Sequence, residues 1–253
     1  MLEENTIHFG DCLDLMPEIP DKSVDFICCD LPYGTTKNKW DIIIPFDRLW
    51  PEYNRIIKDN GAIALFGQGI FAAKMMLSNE RMYKYDIVWK KGDRVSGFLN
   101  AKRSPLRNHE LILVFYKKQP TYNPQFTEGR PLHSMGSRFL DPETQKNNNY
   151  GKFIKTAEQD KRKGTTQKFP KSVLNFERPH PPIHPTQKPV ALCEWLIRTY
   201  TNPGELVLDN TAGVATTGIA AIKTGRRFIL IENERKYYEK SLKRLKQNEH
   251  SVV

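Results

Sequence analysis

Apolar positions along the first third of the chain come in short runs separated by amphipathic stretches. Ser23-Val24-Asp25-Phe26-Ile27-Cys28-Cys29 predicts a buried strand that ends at Asp30. Apolar residues at Phe46, Leu49, Trp50, Tyr53, Ile56 and Ile57 have helical spacing, so a helix is predicted from Phe46 to Lys58, stopped by Asn60-Gly61. A strand at Ala62–Phe66 and a helix at Gly69–Ser78 follow. Tyr85–Trp89 and Glu110–Tyr116, rich in branched and aromatic residues, predict two more strands.

The pattern breaks after Tyr116. From Lys117 to Arg178 there is little periodicity, and polar residues, prolines and positive charge dominate, as in Asp160-Lys161-Arg162-Lys163. Two readings stand side by side: a solvated segment, or an insert that touches DNA. Periodicity returns with a helix at Val190–Tyr200, opened by Pro189. A strand at Glu205–Leu208 runs into Asp209, a helix spans about Ala215–Lys223, a strand at Arg227–Ile231 ends at Glu232, and a charged helix covers Arg235–Gln247. Alternating strands and helices predict an open, mostly parallel α/β sheet, whose ligands bind beyond the carboxyl ends of the strands. Asp30, Phe66, Asp209 and Glu232 all sit at predicted strand ends and are expected on one edge of that sheet.

Composition adds a partner class. The 253 residues carry a formal net charge of +10, which favours a polyanion such as nucleic acid without requiring one. No run approaches the ~18 apolar residues of a membrane helix. Met1–Asn5 lacks the basic and apolar regions of a secretory signal. Cys12, Cys28, Cys29 and Cys193 have neither disulfide-framework nor metal-site spacing, so no metal and a reduced, cytoplasmic protein are expected.

Four segments carry candidate chemistry. Asp30-Leu31-Pro32-Tyr33-Gly34 follows the buried strand. A base amine is a poor nucleophile because its lone pair is delocalised into the ring. Two acceptors on its hydrogens, the Asp30 carboxylate and the Leu31 carbonyl, would pull the nitrogen towards tetrahedral geometry. Pro32 sets the turn, and Tyr33 offers a flat face to a base taken out of the helix. The bland alternative is a strand-to-turn corner. Leu206 to Gly218, through Asp209-Asn210-Thr211-Ala212-Gly213 and Ala215-Thr216, reads as a strand, a small-residue turn and a helix start, suited to a bound cofactor or simply to a tight turn. Glu232, with Asn233 beside it, lies about 20 residues on, where an acid would hold ribose hydroxyls. His184-Pro185-Thr186-Gln187-Lys188-Pro189 is either a proline-rich linker or a place where Thr186 and Lys188 meet a cofactor's carboxylate. In Phe9-Gly10-Asp11-Cys12, Asp11 is a candidate helix cap and a candidate cofactor contact, with Cys12.

Taken in order, these segments resemble the amino-group DNA methyltransferases of the permuted, beta-type arrangement found in many bacterial and phage adenine-specific enzymes. Those carry an Asp-Pro-Pro-Tyr-type loop, then a target-recognition region, then His-Pro-Thr-Gln-Lys-Pro, then a glycine-rich cofactor loop. The match spans nearly the whole chain. It departs at Leu31, where proline is more usual, and at Ala215, where glycine is common and an added methyl would crowd the cofactor or require a different turn.

The resemblance implies a Rossmann-like, S-adenosylmethionine-dependent fold with circularly permuted motif order. Residues 1–116 would form its catalytic part, 117–180 a target-recognition insert and 181–253 its cofactor-binding part. It implies transfer of a methyl group to the 6-amino group of adenine in double-stranded DNA. A cytosine 4-amino enzyme and a non-catalytic DNA-binding relative are the alternatives. Asp30, Leu31, Pro32 and Tyr33 would be catalytic. Asp11, Cys12, Asp30, Phe66, Thr186, Lys188, Asp209, Asn210, Thr211, Ala212, Gly213, Ala215, Thr216, Glu232 and Asn233 would hold the cofactor. Lys37, Lys39, Trp40, Arg94, Lys102 and Arg103 would contact DNA. The insert has no aromatic-rich platform for single-stranded RNA. A homodimer and a companion restriction nuclease are further expectations.

Overall fold

The structure is a computed structural model that describes residues 1–36, 38, 40–131, 146–147, 151–152 and 164–249. The chain divides into two compact units, Met1–Asn123 with Lys171–Val253, and Pro124–Pro170. The larger unit is built on eight strands: β1 (Thr6–Phe9), β2 (Val24–Cys29), β3 (Ile57–Gly67), β4 (Tyr83–Lys90), β5 (His109–Phe115), β10 (Val173–Asn175), β11 (Leu206–Asp209) and β12 (Arg227–Glu232). Its helices are α1 (Cys12–Leu15), α2 (Phe46–Ile56), α3 (Gly69–Ser78), α4 (Val190–Tyr200), α5 (Thr216–Thr224) and α6 (Arg235–Glu249).

The strand order is β1-β12-β11-β2-β3-β5-β4-β10, and neighbours run parallel except β3/β5 and β5/β4. The parallel strands are apolar on both faces, because helices cover both. Alternation along β2 shows the two layers. Ile27 and Cys29 pack with Leu49, Tyr53 and Met75 of α2 and α3, whereas Phe26 and Cys28 pack with Leu192, Leu196 and Ile219 of α4 and α5.

One boundary differs from expectation. The helix predicted to Lys58 ends at Ile56, and Ile57 already begins β3. Asn60-Gly61 therefore lies inside a strand. A Cβ on Gly61 would come within 2.8 Å of the Asp25 carbonyl oxygen, so glycine serves close strand approach there instead of a helix stop. It faces the register irregularity between Val24 and Phe26.

The expected insert, 117–180, contains the smaller unit but also β10, an edge strand of the main sheet. Within the smaller unit, β6 (Thr127–Glu128) pairs antiparallel with β9 (Gln167–Lys168), and β7 (Lys146–Asn147) with β8 (Gly151–Lys152). Phe126 and Phe169 pack at 5.0 Å between ring centroids.

Candidate active site

Parallel strands deliver their carboxyl ends to one edge of the sheet. A cavity of about 650 Å³ opens there, reached by β1 at Asp11, β2 at Asp30, β3 at Phe66, β11 at Asp209 and β12 at Glu232. That size suits a small-molecule ligand. All four residues Asp30–Tyr33 line it. So do Asp11, Cys12, Thr186, Lys188, Asn210, Thr211, Ala212, Gly213, Thr216 and Asn233. Among the residues expected at the cofactor, Ala215 alone does not line the cavity.

The loop at Asp30 is held from several sides. Tyr33 Oη donates to Asp30 Oδ1 at 2.9 Å, and Lys188 Nζ donates to Oδ2 at 2.5 Å. One face of the Tyr33 ring stacks on Phe71, centroids 4.7 Å apart. Thr211 Oγ1 donates to the Asp30 carbonyl at 3.2 Å, which ties this loop to the turn after β11. The Leu31 side chain is buried in the core beside α2 and α3. Leucine in place of proline therefore changes packing and leaves the loop carbonyl in place. Burial raises the Asp30 carboxyl above its ordinary range, and neighbouring Glu110 adds to this although Lys188 opposes it.

Gly34, Thr35 and Thr36 wrap around a residue that the sequence did not single out. Their backbone N–H groups donate to Asp41 at 2.8, 2.9 and 2.6 Å. Burial alone would raise the Asp41 carboxyl, but these donors and Thr36 hold it below its ordinary value.

On the other side of the cavity, Asp209 Oδ2 accepts from Thr217 Oγ1 at 2.7 Å and Oδ1 from the Thr211 N–H at 3.1 Å. Burial pushes Asp209 up to about 6. Glu232 Oε2 accepts from the Gly213 N–H at 2.7 Å and Oε1 from the Glu234 N–H at 2.8 Å, while burial raises it to about 7. Asn210 Oδ1 accepts from Tyr53 Oη at 2.6 Å, but its buried Nδ2 has no partner. Asp11 Oδ1 accepts from the Leu13 N–H at 2.8 Å, the expected cap of α1.

Ala215 resolves the departure from glycine. Its φ of 58° is left-handed, the region glycine adopts freely. Its methyl group is buried in the core among α4, α5 and β12 residues, away from the cavity. The substitution therefore puts strain in the backbone and does not crowd a ligand.

Charged partners of Lys188 were missed by the sequence. Glu110 Oε2 lies 3.2 Å from Lys188 Nζ, and Lys91 Nζ pairs with Glu110 Oε1. Glu110 stands at the start of a strand, and a carboxylate there reads as a solvated edge. Only the reversed direction of β5 brings it to the carboxyl ends of the others. His184 packs edge-on against Tyr237 at 4.1 Å and lies 5.3 Å from Trp40, giving the cavity an aromatic wall. Burial and Lys188 lower His184 to about 4.

The DNA candidates are divided between the cavity and the surface. Trp40 lines the cavity. Arg94, Lys102 and Arg103 are exposed on the β4–β5 connection, with Arg94 Nη1 3.2 Å from His180 Nδ1. Lys37 and Lys39 lie outside the described residues. Among the described residues no cluster of side chains could hold a metal ion, and no helix is long and apolar enough to cross a membrane.

A family model described as DNA methylase matches residues 24–243. The chain belongs to that family. It is 31% identical to the type II methyltransferase M1.MboII of Moraxella bovis, over 90% of this chain and 92% of that protein. It is also 31% identical to the DNA adenine methyltransferase YhdJ of Escherichia coli (strain K12), over 96% of this chain and 83% of that protein. In fold it is similar to the crystal structure of the M1.HpyAVI-SAM complex, with a TM-score of 0.63 and 24% identity over 95% of this chain and 98% of that one. The cytosine-N4-specific PvuII DNA methyltransferase shares the fold at a TM-score of 0.65 and 15% identity, over 100% of this chain and 93% of that one. In this DNA methylase α/β fold the Asp30–Tyr33 segment precedes the Asp209–Gly213 turn in the chain.

Proposed function

We propose that this DNA methylase transfers the methyl group of S-adenosylmethionine to the 6-amino group of adenine at a specific site in double-stranded DNA. The observation that carries the reading is the presence of the Asp30 carboxylate and the Asp209–Glu232 acid pair in one cavity. The unpartnered, buried Asn210 Nδ2 in the same wall fits a ligand rich in acceptors. Glu232 and Asp11 would hold the adenosine part, and the turn from Asp209 to Gly213 would lie along it. When bound, the cofactor supplies a methyl carbon on a sulfonium, whose C–S bond breaks as the base nitrogen's lone pair forms the N–C bond.

Residues of this chain prepare the base. Tyr33 would offer its ring to the extruded adenine, backed by Phe71. Asp30 accepts one amine hydrogen and the Leu31 carbonyl the other, which localises the lone pair on nitrogen. Positioning does much of the work, because a sulfonium already has a good leaving group. The amine proton becomes acidic only after the methyl group has arrived, so Asp30 need not remove it first.

Adenine is favoured over cytosine by the aspartate that opens the catalytic loop and by the adenine methyltransferase among the relatives. For DNA, we assign Arg94, Lys102 and Arg103 to phosphate contacts, with Phe98 and Leu99 between them as an apolar tip, 74% and 85% exposed. The smaller unit would recognise the target sequence. A cytoplasmic, homodimeric enzyme with a companion restriction nuclease completes the proposal.

Tritium transfer from labelled cofactor to unmethylated DNA tests the activity. Transfer by the wild type and none by Asp30→Ala is the expected result, whereas no transfer to any DNA points to a non-catalytic DNA-binding protein. Long-read sequencing of DNA from expressing cells identifies the base and the site together.

A further inference from the structure

Lys188 stands between two carboxylates. Its Nζ is 2.5 Å from Asp30 Oδ2 and 3.2 Å from Glu110 Oε2, and the three side chains are 7%, 21% and 12% exposed. Glu110 in turn pairs through Oε1 with Lys91, itself buried. The chain Asp30–Lys188–Glu110–Lys91 is neutral when all four groups are ionised. Its two ends are not equivalent. Asp30 accepts from both Tyr33 and Lys188, so both its oxygens are engaged. Glu110 Oε2 lies within ion-pair distance of Lys188 but makes no hydrogen bond of proper geometry.

An amine hydrogen that approaches Asp30 competes with the ammonium already there. Withdrawing Lys188 into an apolar wall would strand a buried charge without its partners. On that side the rings of Phe66 and Trp89 lie 4.9 and 6.0 Å from Nζ. Glu110 removes the difficulty, because its free oxygen is within reach of a small torsional change in the lysine stem.

We propose that Glu110 is a positioning residue for methyl transfer: it draws the Lys188 ammonium away from Asp30 Oδ2 as the base amine arrives, so that Asp30 accepts the amine hydrogen while Lys188 stays paired. The inference rests on the methyltransferase reading of the site. Among the described residues, the charged and titratable groups facing Lys188 or its partners include Asp30, Tyr33, Asp41, Lys91, Glu110, Arg178, His184 and Asp209. Burial lowers the Lys188 ammonium, but Asp30 and Glu110 outweigh it and hold the group above its ordinary value.

The test is Glu110→Gln in the full chain, with single-turnover methyl transfer followed from pH 6 to 10. Glutamine keeps the size and removes the charge that attracts Lys188. The rate at neutral pH is expected to fall on the order of tenfold to a hundredfold, a cost typical of a misplaced reacting group. Cofactor affinity stays at the wild-type value. The variant's rate should climb with pH as Lys188 gives up its proton and frees Asp30, a limb absent from the wild type. Glu110→Asp should restore most of the rate. A wild-type rate and pH profile in Glu110→Gln would overturn the inference. So would equal losses in the Gln and Asp variants accompanied by weakened cofactor binding, which would mark a purely structural role. If Glu110→Gln does not fold, wild-type protein labelled with ¹⁵N-lysine decides. The Lys188 ammonium signal should move when the demethylated cofactor and unmethylated DNA bind together, and a stationary signal overturns the proposal. Absence of transfer by the wild type would instead remove the methyltransferase reading, and this inference with it.

Discussion

Glu232 receives the backbone N–H of Gly213 across 19 residues, and with the Ala212 N–H to the Ile231 carbonyl this ties the end of β12 to the turn after β11. The carboxylate proposed to hold ribose hydroxyls therefore also shapes the loop beside it. Glu232→Ala would leave the Gly213 N–H without its acceptor, at about 1–3 kcal/mol, and weaken cofactor binding. Calorimetry showing unchanged affinity in this variant would count against the ribose role.

Glu232 also makes stability depend on pH. Burial raises its carboxyl from 4.5 to about 7, although the Gly213 and Glu234 N–H groups pull the other way. A raised native value means the folded protein keeps a proton that the unfolded chain has lost across that interval. The resulting stability is present below about 4.5 and is lost as pH rises through about 7. His184, lowered to about 4 by burial, acts in the opposite sense from its ordinary 6.5 downward. Comparing wild type with Glu232→Gln cancels that contribution. The wild type's advantage should shrink by on the order of 3 kcal/mol between pH 4.5 and pH 8. Parallel denaturation midpoints at all pH values would exclude this assignment.

Asp41 gathers three consecutive N–H groups of the segment after Tyr33. Hydrogen bonds to a charged acceptor contribute about 1.5–3 kcal/mol each at most, so the loop should loosen in Asp41→Ala. Expected is a methyl-transfer rate at least tenfold lower, with cofactor affinity unchanged because Asp41 makes no contact with the turn from Asp209 to Gly213. A variant as fast as wild type would show that the loop holds its shape without Asp41.

At Ala215 two effects oppose one another. The left-handed backbone costs about 1–2 kcal/mol for a non-glycine residue. Replacing alanine by glycine relieves that, but loses a buried methyl worth about 0.8 kcal/mol and adds unfolded-state freedom worth about 0.4–1 kcal/mol. Ala215→Gly should therefore fall within about 1 kcal/mol of the wild type in urea denaturation. Cofactor affinity should not change, since the methyl lies in the core. Ala215→Val, branched and in the wrong backbone region, should cost more than about 2 kcal/mol. A glycine variant that binds cofactor several-fold tighter would contradict the placement of the methyl.

Arg103 is exposed beside the Phe98–Leu99 tip. As a phosphate contact it should supply affinity without sequence preference. Arg103→Ala is expected to weaken binding equally on cognate and random DNA, and to reduce the salt slope by about 1. Loss of discrimination between the two DNAs would reassign it to base recognition. Phe98→Ala with Leu99→Ala should lower fluorescence enhancement of 2-aminopurine at the target position, if the tip supports the extruded base.

How much was legible beforehand follows from the reach of each interaction. Helices α3 and α4 were readable to the residue because their apolar spacing is local. Asp30, Asp209 and Glu232 could be placed on one edge because parallel strands put their ends together, whatever their separation in sequence. Gly61 misled because close strand approach and a helix stop both call for glycine, and only the neighbouring Asp25 carbonyl distinguishes them.

From the sequence alone came the elements, their order, the family resemblance and the acids at the strand ends. Each rests on periodicity or on a motif that a short segment carries entire. The tertiary structure alone decided that Lys188 meets Asp30 and Glu110, that Asp41 anchors the loop after Tyr33, and that the Ala215 methyl points into the core. Those facts depend on strand direction and backbone dihedrals. The residue pattern of β5 is the same whichever way it runs, yet only its antiparallel course brings Glu110 to the cavity edge of the sheet.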